Sequence, residues 1–226
     1  KIGIGWMKPE FIEYDGEYSL RASNLYPESF IIEKNFPPGE YLIIENRQVR
    51  DYDEQLPGNG GLLIYHVDEL QQSGQTRAGW PGSQFWPFDH YRVALNQADG
   101  NFDLEKASNA GDNGDYYSYP RELLPGSSGI HPSTDSYQFG EWTSTGISIT
   151  DISAPGEVMT FRVSGLGPAP PSAAAVPSPT TPPPSIRTSA PSAVPATADD
   201  EPSSTASATT TWGCVLATLW TIPLLY

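Results

Sequence analysis

The chain has 226 residues, with 12 Lys and Arg against 27 Asp and Glu, a formal charge of −15, one Cys, 21 Gly and 23 Pro. So large an acid excess repels phosphate backbones and argues against nucleic acid as a partner. The single Cys214 forms no internal disulfide, and no CxxC or Cys/His finger spacing occurs, so the fold must rest on its apolar core rather than on a disulfide framework or zinc ribbon.

The chain opens on Lys1, with no charged segment and apolar signal core before Ile2, which leads us to expect a fragment of a longer secreted protein. Short runs rich in branched and aromatic residues then predict strands at 18–21, 30–33, 41–45, 62–67, 91–96, 147–152 and 158–163. Turn sequences such as Pro37-Pro38-Gly39, Pro57-Gly58-Asn59-Gly60-Gly61 and Ala154-Pro155-Gly156 separate them. Leu62-Leu63-Ile64 is apolar on both faces, which predicts a central strand. Ile147, Ile149 and Ile152 with Met159, Phe161 and Val163 predict a closing hairpin with one buried face. No long helical period occurs. The fold class is therefore mainly β with irregular loops, over residues 1–165.

Several polar groups interrupt this pattern. Glu45 and Arg47 lie two apart on one strand face and predict a structural ion pair. His66 sits inside an apolar strand, followed by Asp68 and Glu69, where an imidazole is either a satisfied strand residue, the reading we favour, or a ligand or base. His90 and His131 fall in loop sequence and read as background. No His-Glu-x-x-His pair places two imidazoles on one helical face, and no Gly-x-Ser-x-Gly elbow occurs, so no catalytic residue is assigned. The densest constellation runs from Gln97-Ala98-Asp99-Gly100 to Gly114-Asp115, with five carboxylates and Lys106 as the only opposing charge. Oxygen ligands on glycine-permitted turns suit Ca²⁺, and Asp99, Asp103, Asn109, Asp112 and Asp115 are the candidate ligands. The competing reading is a solvated acidic loop whose Asp and Asn side chains bond their own turns.

Residues 166–211 hold 11 of the 23 prolines with 26 Ala, Ser and Thr, a composition that cannot bury enough surface to offset ordering. The segment reads as a disordered Pro/Ser/Thr/Ala stalk of the O-glycosylated kind or an unmodified linker. Residues 212–226 are apolar, too short for an ordinary spanning helix and without flanking Lys or Arg. Behind the small residues Ser203 to Ala208, they match the layout of a signal exchanged for a glycolipid (GPI) anchor, which implies an extracellular, cell-surface address with the membrane as a partner; the alternatives are a tail anchor and a carboxyl end without such a role.

Taken together, Gly39 to Gln48, Asp53 to Asp68 and the acidic run resemble the region downstream of the zinc motif in secreted metallopeptidases of the immune inhibitor A type, over roughly residues 5–163. The resemblance implies an extracellular zinc endopeptidase acting on protein or peptide substrates, α+β in its complete domain, with structural calcium. Its zinc-binding His-Glu-x-x-His segment would precede Lys1, so no zinc ligand carries over, and His66 corresponds to a supporting position. The other reading, from a different class, is a calcium-stabilised, non-catalytic cell-surface binding or adhesion module.

Overall fold

The computed structural model describes residues 7–71, 78–126 and 131–171, all within one unit spanning Lys1–Ser172. The expectations for the stalk beyond residue 171 and for the anchor signal at 212–226 lie outside the described residues.

The described residues are mainly β, with two sheets and two single-turn 3-10 segments, Asp51–Asp53 and Gln138–Gly140. The strands are β1 (Lys8–Phe11), β2 (Gly16–Arg21), β3 (Glu28–Ile32), β4 (Glu40–Arg47), β5 (Gly61–Asp68), β6 (Val93–Leu95), β7 (Ser148–Thr150) and β8 (Val158–Ser164). The larger sheet has the order β1-β3-β4-β5-β6, antiparallel except for the parallel β1–β3 pair. The smaller has the antiparallel order β2-β8-β7. Every predicted strand is present, and Leu62-Leu63-Ile64 lies on interior strand β5. The stretch expected at 91–96 pairs only over three residues. β1 was not anticipated, because Lys8-Pro9-Glu10-Phe11 has neither alternation nor branched residues, and a proline is tolerated there only at a sheet edge.

Alternation explains the core. On β4 the residues Leu42 and Ile44, and on β5 Leu62 and Ile64, are fully buried and meet Leu20 of β2 and Met159, Phe161 and Val163 of β8 in one cluster. Ile147, Ile149 and Ile152 join it, as the closing-hairpin pattern predicts. Tyr18 stacks on Phe161 and Phe30 meets it edge-on, both with ring centres 6.0 Å apart. Asn46, fully buried at the end of β4, ties the sheets together by donating to the carbonyls of Leu20 (2.9 Å) and Gly156 (3.1 Å) while accepting from Gln48 (2.7 Å). That satisfies an amide which would otherwise be costly to bury.

Core packing runs slightly past the last strand. Leu166 is buried in the cluster, and Asp15 Oδ1 accepts from the backbone N–H groups of Leu166 (2.8 Å) and Gly167 (3.1 Å). Between β4 and β5 the chain turns back through Gly60 at φ 81°, where a β-carbon would stand 2.8 Å from the Arg47 carbonyl oxygen, so only glycine closes this connection without strain.

Candidate functional site: a histidine cavity at the polar end of the central strands

The antiparallel register pairs Glu40 with Asp68 and Leu42 with His66. Glu40, Leu42, Ile44 and Asn46 therefore share one face with Leu62, Ile64, His66 and Asp68. The middle of that face is apolar, and one end is acidic and imidazole-bearing. Glu40 and His66 are diagonal neighbours across the pair, within reach of long side chains. His66 Nε2 lies 2.7 Å from Glu40 Oε1, with both side chains almost wholly buried. The Tyr137 backbone N–H donates to the same oxygen (3.1 Å), and the Ser136 hydroxyl donates to Oε2. With the Tyr137 N–H and the Ser136 hydroxyl donating to the carboxyl group, a proton on His66 Nε2 makes the 2.7 Å contact a third hydrogen bond, and this is the tautomer assigned to the ring. His66 Nδ1 is then left as a buried lone pair, and it has no hydrogen-bond partner.

A second carboxylate–imidazole pair lies alongside. His90 Nδ1 donates to the Pro87 carbonyl at 2.7 Å, and Nε2 faces Asp68 Oδ2 at 3.1 Å, so a single proton lies between His90 and Asp68. Burial lowers the pKa of His90, against the opposing pull of the Pro87 carbonyl and Asp68. Asp68 Oδ1 also accepts from the Leu70 N–H (2.9 Å) and the Gln138 amide (3.1 Å). Both nitrogens of His90 are thus used.

His131 completes the group from the other side. Its ring packs against Trp86 and Trp142 with centroids 4.7 Å apart in each case, its Nε2 is buried without a partner, and burial, reinforced by His66, pushes its pKa down to about 4. Tyr137 stacks on His66 at 4.1 Å and meets His90 edge-on at 4.7 Å.

All three histidines line one cavity, together with Trp80, Trp86, Phe102, Glu105 and Tyr137. Its volume is about 20 Å³, room for one water-sized occupant. Phe102 holds its ring in the wall from a left-handed backbone position (φ 55°), a conformation that costs a non-glycine residue of order 1 kcal/mol or more. Burial raises the pKa of Glu105, whose carboxylate accepts from the Gln97 amide. Sequence reasoning singled out His66 but set His90 and His131 aside as loop residues. The available cue was narrow: an imidazole interrupting an apolar strand, two residues before a carboxylate.

The acidic run begins against this cavity, since Gly100 packs on the His131 carbonyl. Asp99 accepts from the Asn101 N–H and amide (both 2.9 Å), Asn109 donates to Asp112 (2.8 Å), and the Asp112 N–H donates to Asp115 (2.7 Å). This is turn bonding of the kind the solvated-loop reading describes. Carboxylates nevertheless crowd together. A β-carbon at Gly114 would collide with both Asp99 Oδ2 and Asp112 Oδ1, and burial raises the pKa of Asp115, with the charges of Asp112, Asp99 and Asp103 adding to it. Asp103 and Asn109 meet neighbours only through the loop's own bonds: the Asp103 N–H donates to Gln97 (2.9 Å), and Asn109 Oδ1 accepts from Gly111 (2.8 Å). Among the described residues, no group of three or more His, Cys, Asp and Glu side chains is spaced to hold a metal ion.

Glu45 and Arg47 do meet, at 3.5 Å, but the closer partner of Arg47 is Asp53 at 2.7 Å. No helix among the described residues is long and apolar enough to cross a membrane. No protein-family profile, curated protein or solved structure matches the chain.

Proposed function

We propose that residues 1–165 form the carboxyl-terminal β portion of an extracellular zinc endopeptidase of the immune inhibitor A type, carried at the cell surface on the 166–211 stalk by a glycolipid anchor. One observation supports this reading above the rest. The segments that carry the resemblance include the adjacent strands β4 and β5, where Glu40 and Asp68 make buried pairs with His66 and His90, two histidines that line a single cavity. Buried carboxylate–imidazole pairs of this kind orient a ring and fix its tautomer, as function-bearing sites require. The zinc itself belongs to a His-Glu-x-x-His segment outside this chain, because the three histidines present do not make a three-ligand site with an open position. When bound there, zinc would activate water for peptide hydrolysis. Calcium on the acidic run through Asp99, Asp103, Asn109, Asp112 and Asp115 is part of the same proposal.

The reading frame upstream of Lys1 tests it. An in-frame His-Glu-x-x-His segment is expected, whereas a signal peptide joined directly to Lys1 would replace the peptidase with the calcium-stabilised binding module. With this chain alone, zinc-dependent cleavage of casein should be absent.

A further inference from the structure

We propose that the His131 side chain is an acid-operated gate between the histidine cavity and the cleft outside it: neutral, the ring closes the cavity from an aromatic slot, and protonated it leaves the slot and opens the cavity to solvent. The inference is independent of the peptidase reading. Of the three histidines, His131 lines both the inner cavity and an outer cleft formed with Glu122, Leu124 and Pro125. Trp86 and Trp142 each pack on its ring with centroids 4.7 Å apart, and Tyr137 stands at 6.4 Å. The backbone around it is pinned. The Thr134 N–H donates to the Leu124 carbonyl (3.1 Å), and Gly100 lies so close to the His131 carbonyl oxygen that a β-carbon there would stand at 2.9 Å. The motion therefore belongs to the side chain.

What distinguishes His131 is the lack of a counter-charge. His66 and His90 each sit against a buried carboxylate, Glu40 and Asp68, which would balance a proton gained by either ring. His131 Nε2 is buried without a partner. On the cavity side it shares the lining with His66, His90, the phenols of Tyr91 and Tyr137, and Glu105, whose pKa burial raises. The cleft side carries Glu122, exposed to water, and the Gly100 segment carries Asp99. A proton on the closed ring is thus an unpaired, poorly solvated charge in the company of two other imidazoles, whereas in the cleft the same charge is hydrated. Burial accordingly pulls the pKa of the closed ring from 6.5 down to about 4, with His66 adding to it. The open ring then binds a proton up to about 300-fold more tightly, which is the ceiling on how far acid shifts the gate, and solvent screening lowers it. The neutral ring keeps the gate shut above about pH 6.5, and opening sets in as pH falls from there towards 4. An open gate joins the cavity, with the unpartnered Nδ1 of His66, to solvent.

The test titrates the full, isotope-labelled chain from about pH 7.5 to 4 by nuclear magnetic resonance, following the ring C–H signals of the three histidines and the indole N–H signals of Trp86 and Trp142. His131 should move from a ring-current-shifted position to that of a solvated imidazolium, with a midpoint between about 4 and 6.5. Relaxation of both indole signals by a neutral gadolinium chelate should rise with the same midpoint, while far-UV circular dichroism stays constant. His131→Phe, which fills the slot and takes no proton, should keep the indoles shielded throughout. His131→Gln, equally unable to titrate, should make their exposure independent of pH and decides the matter if His131→Phe does not fold. A His131 signal that titrates while the indoles stay shielded would mean that the closed slot accepts the proton. Circular dichroism lost at the same midpoint would make the event global unfolding, and relaxation that still rises with acid in the folded variants would place the trigger elsewhere. Each of these results overturns the proposal.

Discussion

Replacing Glu40 with Ala should be among the most damaging single changes in this domain. Glu40 is fully buried and receives three donors: His66 Nε2–H, the Tyr137 N–H and the Ser136 hydroxyl. Alanine leaves all three without an acceptor at once. Breaking a buried pair from one side costs about 3–5 kcal/mol. Three stranded donors at about 1–3 kcal/mol each would exceed that figure, but water entering the space vacated by the side chain recovers part of it. For a domain of this size each kcal/mol moves the midpoint by about 2–4 °C, so the melt should fall by roughly 6–20 °C. Urea titrations followed by circular dichroism should give the same loss with an unchanged slope. In a double-mutant cycle with His66→Ala, coupling of about 1 kcal/mol or more is expected between the two positions. A loss below about 1 kcal/mol would refute the reasoning, because it would mean that the carboxylate is hydrated and the pair is not desolvated.

Phe161→Ala removes a fully buried ring that packs on both Tyr18 and Phe30, and should cost about 3–5 kcal/mol by chemical denaturation. Acid should weaken the fold through His131: its folded pKa is depressed from 6.5 to about 4, so the unfolded chain binds the proton first and stability falls as pH drops from about 6.5 towards 4. The ring is partly solvated, which keeps the effect to about 1–3 kcal/mol, and His131→Gln should flatten the stability profile between pH 7 and 5. Glu105 and Asp115, whose pKa values are raised, act with the opposite sign, favouring the fold at low pH and losing that contribution as pH rises from their unfolded values through their raised folded ones, so comparison of variant with wild type isolates the imidazole. If the acidic run binds Ca²⁺, ligand at one hundred times its dissociation constant should add about 2.7 kcal/mol to stability. Melts in EDTA, Ca²⁺ and Mg²⁺ should then differ, and Asp112→Asn with Asp115→Asn should abolish the calcium shift.

Strands β4, β5 and β8 were legible because branched residues alternate along them and glycine-rich turns bound them. β1 was hidden because an edge strand paired on one side needs no apolar face, and its hydrogen bonds to β3 leave no trace in side-chain pattern. The cavity was legible only by a third. His66 announces itself by interrupting an apolar run, but His90 and His131 arrive on irregular segments whose path is set by local turns and aromatic packing, neither of which has a period. The Glu40–His66 contact is likewise a product of register: nothing in Glu40's own neighbourhood reveals that residue 66 will lie diagonally across from it.

The smaller sheet joins β2 to β8, matching Tyr18 with Phe161. Everything between them must be carried as a closed loop before that sheet can exist, and closing roughly 140 residues costs about 4 kcal/mol of chain entropy. Folding should therefore be slow and late, in the manner of domains dominated by non-local pairing. On the ribosome, β2 would wait unpaired until β8 has left the exit tunnel, its apolar Leu20 and Tyr18 open to wrong partners throughout synthesis. A nascent chain paused anywhere in the long irregular middle would carry the larger sheet without its cover, which makes that interval the point of greatest exposure to chaperones and proteases.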